Sequence, residues 1–166
     1  MKFILKYAIA VSAASIVLKL VIFFAGLQFA AVGTYDIYII FLLVLIGVFH
    51  GMRAAKSASG NIQNLRENIH TGCKIAALNA LVMSVFTYIY YRYIDTGYFP
   101  EKIKSTLLLM KKNGYSFEQM FEYSMNARLL FFAPDKVATF TLFGYLLLGG
   151  FYAVIAGFIL RKFSVQ

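Results

Sequence analysis

The sequence predicts an all-α integral membrane protein, a four-helix bundle with an extramembrane helical hairpin between spans three and four. Of its 166 residues, 61% are hydrophobic and only 14% are charged, whereas a soluble domain carries about 25% charged residues. The hydrophobic residues are also gathered into runs, and a spanning helix needs about 20 mainly apolar residues. Composition and patterning together exclude an ordinary soluble domain.

Four runs are long enough to cross a bilayer, within a single membrane domain of residues 1–166. The connection between the first two runs, residues 30–34, is short and contains Gly33, so those helices are expected to be antiparallel neighbours. The predicted spans are residues 7–29, 35–52, 73–94 and 137–160.

The distribution of charge predicts the orientation, because short loops rich in lysine and arginine stay in the cytoplasm. One set of predicted helix ends carries eight basic residues and one acidic residue; the other set, with its long connection, carries seven and six. We therefore expect a bacterial inner-membrane protein with both termini in the cytoplasm. Because the charges flank apolar runs, the net charge of +9 indicates lipid headgroups and topology, not nucleic acid.

Residues 61–70 are predicted to form a short interfacial helix. Ile62, Leu65 and Ile69 recur at helical spacing among polar residues, a pattern typical of helices that lie at the headgroup level. An ordinary polar loop is the alternative.

Residues 96–133 are predicted to form the outer, periplasmic hairpin. Pro100 suits the start of its first helix, and Gly114 stands where that helix should end. Ser116 and Gln119 have the spacing of a capping box, which predicts the start of the second helix.

Lys19 is the residue most open to a functional interpretation, because a lysine within a span costs about 2.5–3.5 kcal/mol on insertion scales. Ala8, Ser12 and Ser15 share its helical face, and small residues mark helix contacts in membranes. We expect Lys19 to face the bundle as an intramembrane polar site with Asn79. Lys19 then binds an anion, a proton or a lipid headgroup, or else it only makes a packing contact. We expect no acidic residue within the spans to pair with it.

Small residues predict where helices pack closely. Gly47 and Gly51 stand four residues apart in the second span, and Gly149, Ala153 and Gly157 repeat at that spacing in the fourth. Packing within one chain and dimerisation of two chains both remain open.

Basic side chains cluster at the predicted cytoplasmic ends of the second and third spans. They contact anionic lipid headgroups, at about 1 kcal/mol for each charge, or serve only to fix the topology. The cluster consists of Arg53, Lys56, Arg66, His70 and Lys74.

Sequence patterns for a metal site or for catalysis are weak. His70 and Cys73 form an H-x-x-C pair, but a structural zinc site takes four ligands. No acid is evidently placed to orient a histidine for cysteine chemistry. We therefore expect no metal, no cofactor and no enzymatic activity.

Three stretches carry a resemblance to a known family: GVFHGMR at Gly47–Arg53, TGCKIAAL at Thr71–Leu78 and YYRYID at Tyr90–Asp95. Together with the outer hairpin and the basic end of the last span, they resemble the DUF4199 family of small membrane proteins found in Bacteroidota. The resemblance covers nearly the whole chain. It implies a four-span inner-membrane protein of uncharacterised function and supplies no catalytic residues.

Two functions fit these expectations. The first is a non-catalytic accessory, scaffolding or regulatory subunit of a larger membrane complex, with a protein partner in the membrane or the periplasm. The alternative is a small transporter or lipid-handling protein that uses Lys19, and a homo-oligomer is open in either case. The partner surface is expected on the aromatic residues of the hairpin, Tyr98, Phe99, Tyr115, Phe117, Phe121 and Phe131.

Overall fold

A computed structural model describes residues 2–60 and 64–162 of the chain. Within those residues the secondary structure is entirely helical, apart from short connections. Two five-residue π-helical segments, Tyr90–Ile94 and Ala127–Phe131, follow directly on α3 and α5. The α-helices are α1 Lys2–Phe24, α2 Ala31–Ala58, α3 Leu65–Ile89, α4 Tyr98–Lys112, α5 Phe117–Asn126 and α6 Pro134–Lys162.

Four helical stretches are long and apolar enough to cross a membrane, which makes the chain a multi-pass membrane protein. They are Lys2–Phe24, Tyr35–Ala58, Leu65–Ile94 and Pro134–Arg161. The predicted number and order of spans are therefore those of the structure. The described residues divide into two compact units, the first comprising those within 2–83 and 142–162 and the second comprising 84–141.

In the first unit, small residues allow α1 and α2 to approach closely. A methyl group added at Gly47 would collide with the Val11 side chain, and one added at Gly51 would lie 3.2 Å from the Tyr7 Cβ. Residue 47 thus lies opposite residue 11, and residue 51 lies opposite residue 7. The number rises along α2 as it falls along α1, so the two helices are antiparallel. The predicted antiparallel arrangement of these two helices is therefore observed.

The pair α3 and α6 is also antiparallel and equally close. A methyl group at Gly72 would lie 2.7 Å from the Ala153 Cβ, and one at Gly157 would lie 2.8 Å from the Ile69 Cγ1. Gly149 leaves room for Ala76. The predicted small residues of the fourth span thus pack within this chain.

The remaining contacts of the first unit join the two pairs into one bundle. Gly51 lies against Ile75, and Gly72 lies against Met52, so α2 contacts α3. The rings of Phe41 and Tyr145 pack edge to face, 5.9 Å apart, between α2 and α6. These contacts place four helix termini at the same end of the bundle: the start of α1, the end of α2, the start of α3 and the end of α6. We call this end of the bundle the basic end.

The connection between α1 and α2 differs from the prediction. α1 ends at Phe24, five residues before the predicted limit, and the chain turns through Gly26 at φ 68°. Gly33, expected in the turn, lies in the first turn of α2, where a Cβ would collide with the Leu27 carbonyl oxygen. Gly26 turns the chain because glycine adopts a positive φ without steric cost.

The predicted interfacial helix at residues 61–70 is also corrected. Residues 61–63 lie outside the described part of the chain, and Leu65–His70 forms the first turns of α3. Asn64 accepts a hydrogen bond from the Glu67 N–H at 2.9 Å, and the Glu67 carboxylate accepts one from the Asn64 N–H at 3.1 Å. This reciprocal capping starts the helix there, and it continues without interruption into the span.

The second unit contains the two helices of the predicted hairpin. α4 ends at Lys112, with Gly114 at φ 80° just beyond it. Ser116 accepts a hydrogen bond from the Gln119 N–H, and the Gln119 side chain accepts one from the Ser116 N–H. The predicted capping box is confirmed, whereas α4 begins at Tyr98, two residues before Pro100.

Aromatic rings form much of the interior of the second unit. Phe99 lies 4.6 Å from Tyr91 and 5.9 Å from Phe132 between ring centroids. The Tyr90 hydroxyl, which is buried, donates to the Asp95 carboxylate at 3.1 Å. This bond closes the π-helical segment, in which the Asp95 N–H donates to the Tyr90 carbonyl at 2.8 Å.

Candidate functional site

The first polar site of the bundle is an ion pair between α1 and α2. Lys19 Nζ lies 2.7 Å from Asp36 Oδ2, and the two side chains are 18% and 8% exposed. The expectation that no acidic residue would pair with Lys19 was therefore wrong. Asp36 lies inside α2, where a carboxylate compensates the lysine charge that the membrane would otherwise disfavour.

The position of the turn explains why this pair was missed. In an antiparallel hairpin, residues opposite each other are equally distant from the centre of the connection. The predicted connection at residues 30–34 would place Lys19 opposite Leu45, whereas the observed connection at residues 25–30 places it opposite Asp36. Gly26 and the opposite charges were the sequence signals that could have identified the pair.

Asn79, the expected partner of Lys19, forms a separate polar contact. Ser12 Oγ lies 2.8 Å from Asn79 Oδ1 and 2.9 Å from the Ala8 carbonyl oxygen. Lys19 stands seven residues, or two turns, further along α1, so the structure does not bring Lys19 and Asn79 together. Instead, Asn79 links α3 to α1 through Ser12.

This second site leaves one of the two polar atoms of the Asn79 amide without a hydrogen bond among the described residues. Ser12 has one hydroxyl proton and can donate to only one of its two neighbours. With its amide turned by 180°, Asn79 would donate to Ser12 while Ser12 donates to Ala8. In either orientation one Asn79 amide atom, Nδ2 as placed, lacks a partner among the described residues. The geometry is that of an interhelical contact.

The third polar site lies at the basic end, where Lys56 is buried. Its Nζ donates to the Leu160 carbonyl oxygen at 2.9 Å. Carbonyls in the last turn of a helix lack partners within that helix and carry partial negative charge. Lys56 therefore stabilises the end of α6, and its side chain is buried there, whereas the sequence suggested an exposed contact for lipid headgroups.

The other four members of the basic cluster are exposed: Arg53 on α2 and Arg66, His70 and Lys74 on α3. Cys73 is a half-buried free thiol beside them on α3. Across residues 2–60 and 64–162, no group of three or more His, Cys, Asp or Glu side chains is arranged to hold a metal ion.

A different kind of surface occurs on α5. Across Phe117–Asn126, every residue of which is described, none is buried. Phe117, Phe121 and Met125 stand at four-residue steps and are all exposed, so they form one apolar row, which we call the α5 row. The two phenylalanines were expected from the sequence to form part of a partner surface, but the continuation of the row through Met125 was not.

No curated protein and no solved structure matches the chain. The model of a family described as a protein of unknown function, DUF4199, matches residues 6–162, which is nearly the whole sequence and includes all six helices in whole or in large part. The chain therefore belongs to the DUF4199 family.

Proposed function

We propose that this chain is a non-catalytic accessory or scaffolding subunit of a bacterial inner-membrane complex, and that the α5 row docks on a protein partner. In this proposal both termini are cytoplasmic and the α4–α5 hairpin lies in the periplasm. The gathering of basic residues at one end of the bundle supports this orientation, because such ends are retained in the cytoplasm.

The observation that carries the proposal is the exposure of α5. Phe117 is 77% exposed and Phe121 is 60% exposed, on a ten-residue helix that buries no residue. Isolated helices shorter than about 12–15 residues are marginal in water. A second surface that covers the row would stabilise α5 and remove its aromatic rings from solvent.

The charges beside the row indicate the chemistry of the partner. Glu118 and Glu122 are the charged residues of α5, and both are exposed. An acidic rim disfavours contact with anionic lipid headgroups and favours a protein with an apolar groove and basic residues at its edge. We therefore assign the α5 row to a protein and not to the membrane surface.

A photo-crosslinking phenylalanine analogue in place of Phe121, in native membranes, tests this assignment. The matched control carries the analogue in place of Leu147, which is 77% exposed on the spanning helix α6. We expect a discrete protein adduct at position 121 and lipid adducts at position 147. Lipid adducts alone at both positions would overturn the proposal.

Three further variants separate the apolar and charged contributions. Phe121→Ala should greatly reduce recovery of the cross-linked partner in co-purification, while Phe121→Leu should largely restore it. Glu118→Lys combined with Glu122→Lys should weaken the complex through like-charge repulsion with a basic rim. Unchanged recovery in both Phe121→Ala and the charge-reversed variant would contradict docking through this row.

The Lys19–Asp36 pair favours a second candidate function, a small proton- or ion-coupled carrier. Buried ionisable residues in spans often mark ion pathways. Both side chains of this pair are largely buried, and Lys19 Nζ lies 2.7 Å from Asp36 Oδ2. Proton flux into liposomes that contain a trapped pH indicator tests this candidate. A flux that is lost in a folded Lys19→Met/Asp36→Asn double variant would support the carrier; equal flux in both proteins would reject it.

A further inference from the structure

The exposed face of α3 carries a straight row of basic residues. Arg66, His70 and Lys74 stand at four-residue steps, and all three are exposed. Residues four apart are neighbours on a helix surface. The opposite face of the same turns, which includes Asn68 and Gly72, is buried against the rest of the first unit.

The same face continues into an apolar surface. Leu78 follows Lys74 by four residues, Leu81 follows by seven, and both are exposed. Because these residues are apolar and exposed on a helix long enough to cross a membrane, we expect the surface they form to face lipid. The basic row therefore ends where the lipid-facing surface begins, which is the order of a phospholipid's phosphate and acyl chains.

Side-chain direction strengthens this match. Side chains of a helix lean toward its N-terminus, so the Lys74 ammonium is carried away from Leu78 and toward the basic end. Arg66, His70 and Lys74 span two turns, about 12 Å, so these side chains can reach one phospholipid headgroup together. Long basic side chains commonly extend in this way along an apolar surface.

The row is also available for a ligand. In the described part of the chain, Arg66, His70 and Lys74 form no ion pair. The neighbouring Glu67 carboxylate is held by the Asn64 N–H at 3.1 Å, which directs it to the start of the helix. Lys56 differs from the row, because its ammonium already binds the Leu160 carbonyl.

We propose that this face of α3 binds an anionic phospholipid. Arg66, His70 and Lys74 contact the phosphate, and an acyl chain lies along Leu78 and Leu81. The site is independent of the α5 row, and it requires a lipid and not a soluble phosphate because the apolar contacts supply part of the binding.

Native mass spectrometry of the full chain in detergent, titrated with phosphatidylglycerol or phosphatidylcholine, tests the site. We compare the wild type with Arg66→Gln/Lys74→Gln and with a matched control, Lys2→Gln/Lys6→Gln, which removes the same charge from exposed positions of α1. We expect the α3 double variant to bind phosphatidylglycerol about thirtyfold more weakly, about 2 kcal/mol for two headgroup contacts. The control should stay within twofold of the wild type.

Three further results distinguish the alternatives. Equal weakening in both double variants would overturn a defined site and indicate a general effect of net charge. Equal binding of the two lipids by the wild type would overturn the role of the basic row. Competition by glycerol phosphate at lipid-like concentration would show a soluble phosphate site and overturn the lipid. Arg66→Lys/Lys74→Arg keeps both charges and should bind as the wild type does, which guards against loss of binding through misfolding.

Discussion

Lys19 on α1 and Asp36 on α2 form an ion pair, with 2.7 Å between Nζ and Oδ2 and with both side chains largely covered. The pair compensates two charges that would each be unfavourable alone within a span. It also couples the positions of α1 and α2 beyond the contacts made by Gly47 and Gly51. Its first consequence is therefore for stability, whichever function the pair serves.

We expect Lys19→Met and Asp36→Asn each to destabilise the protein by about 3 kcal/mol, because each removes one charge of a largely buried ion pair and leaves the other in place. The double variant should lose less than the sum of the two, with a coupling free energy of at least about 1 kcal/mol. A double-mutant cycle by equilibrium unfolding in mixed micelles measures this. Additive losses would show that the two groups do not stabilise each other.

The adjacent glycines Gly149 and Gly150 should respond in opposite directions to alanine. At Gly149 the new methyl group would collide with Ala76, whereas at Gly150 no heavy atom lies within 4 Å of it. Gly149→Ala should destabilise by about 1–3 kcal/mol through overpacking, while Gly150→Ala should stabilise by about 0.5–1 kcal/mol. Thermal unfolding in detergent compares them. Equal effects would contradict the close contact between α3 and α6.

Lys56→Met should destabilise the end of α6, because the Leu160 carbonyl loses its charged donor. The expected loss in unfolding free energy is about 1.5–3 kcal/mol, with faster amide exchange in the last turn of α6. Arg53→Met is the matched control, since Arg53 is exposed on the same helix and should change stability by less than about 0.5 kcal/mol. Similar results for the two variants would show that the burial of Lys56 has no stabilising effect.

Ser116→Ala should loosen α5 without affecting the spans. It removes the hydroxyl that accepts from the Gln119 N–H, at a cost of about 1 kcal/mol. Because α5 buries no residue, little else opposes its opening. Hydrogen exchange should accelerate across Phe117–Asn126 and stay constant in α1, α2 and α6. Ser116→Asp, which retains a capping oxygen, should exchange as the wild type does, and unchanged protection in Ser116→Ala would contradict the role of the cap.

Local patterns in the chain predicted the features that local chemistry controls. The capping box at Ser116 and the chain reversal at Gly114 depend on residues within a few positions of each other, and both occur as expected. The turn between α1 and α2 was misplaced because hydropathy continues past the end of α1. Gly26 ends that helix inside an apolar stretch, and an apolar run does not mark the residue at which a helix stops.

The candidate site shows the same division. The sequence identified Lys19 as a residue in need of a polar partner, but the partner depended on a register set by the position of the turn. In the sequence, Lys56 was one of five residues in a basic cluster, and the packing of α2 beside α6 placed its ammonium against the end of α6. Asn79 met Ser12 and not Lys19 because α1 and α3 are in contact two turns away from the ion pair.

By itself, the sequence determined the number of spans, the segregation of charge and the family, because hydropathy, charge and short motifs are properties of the residues alone. Only the tertiary structure decided which polar side chains meet, which cations remain exposed and which small residues contact a neighbouring helix. A helix presents many side chains around its axis at small cost in backbone energy. The packing of all four helices together selects which of them are buried, and no single segment contains that information.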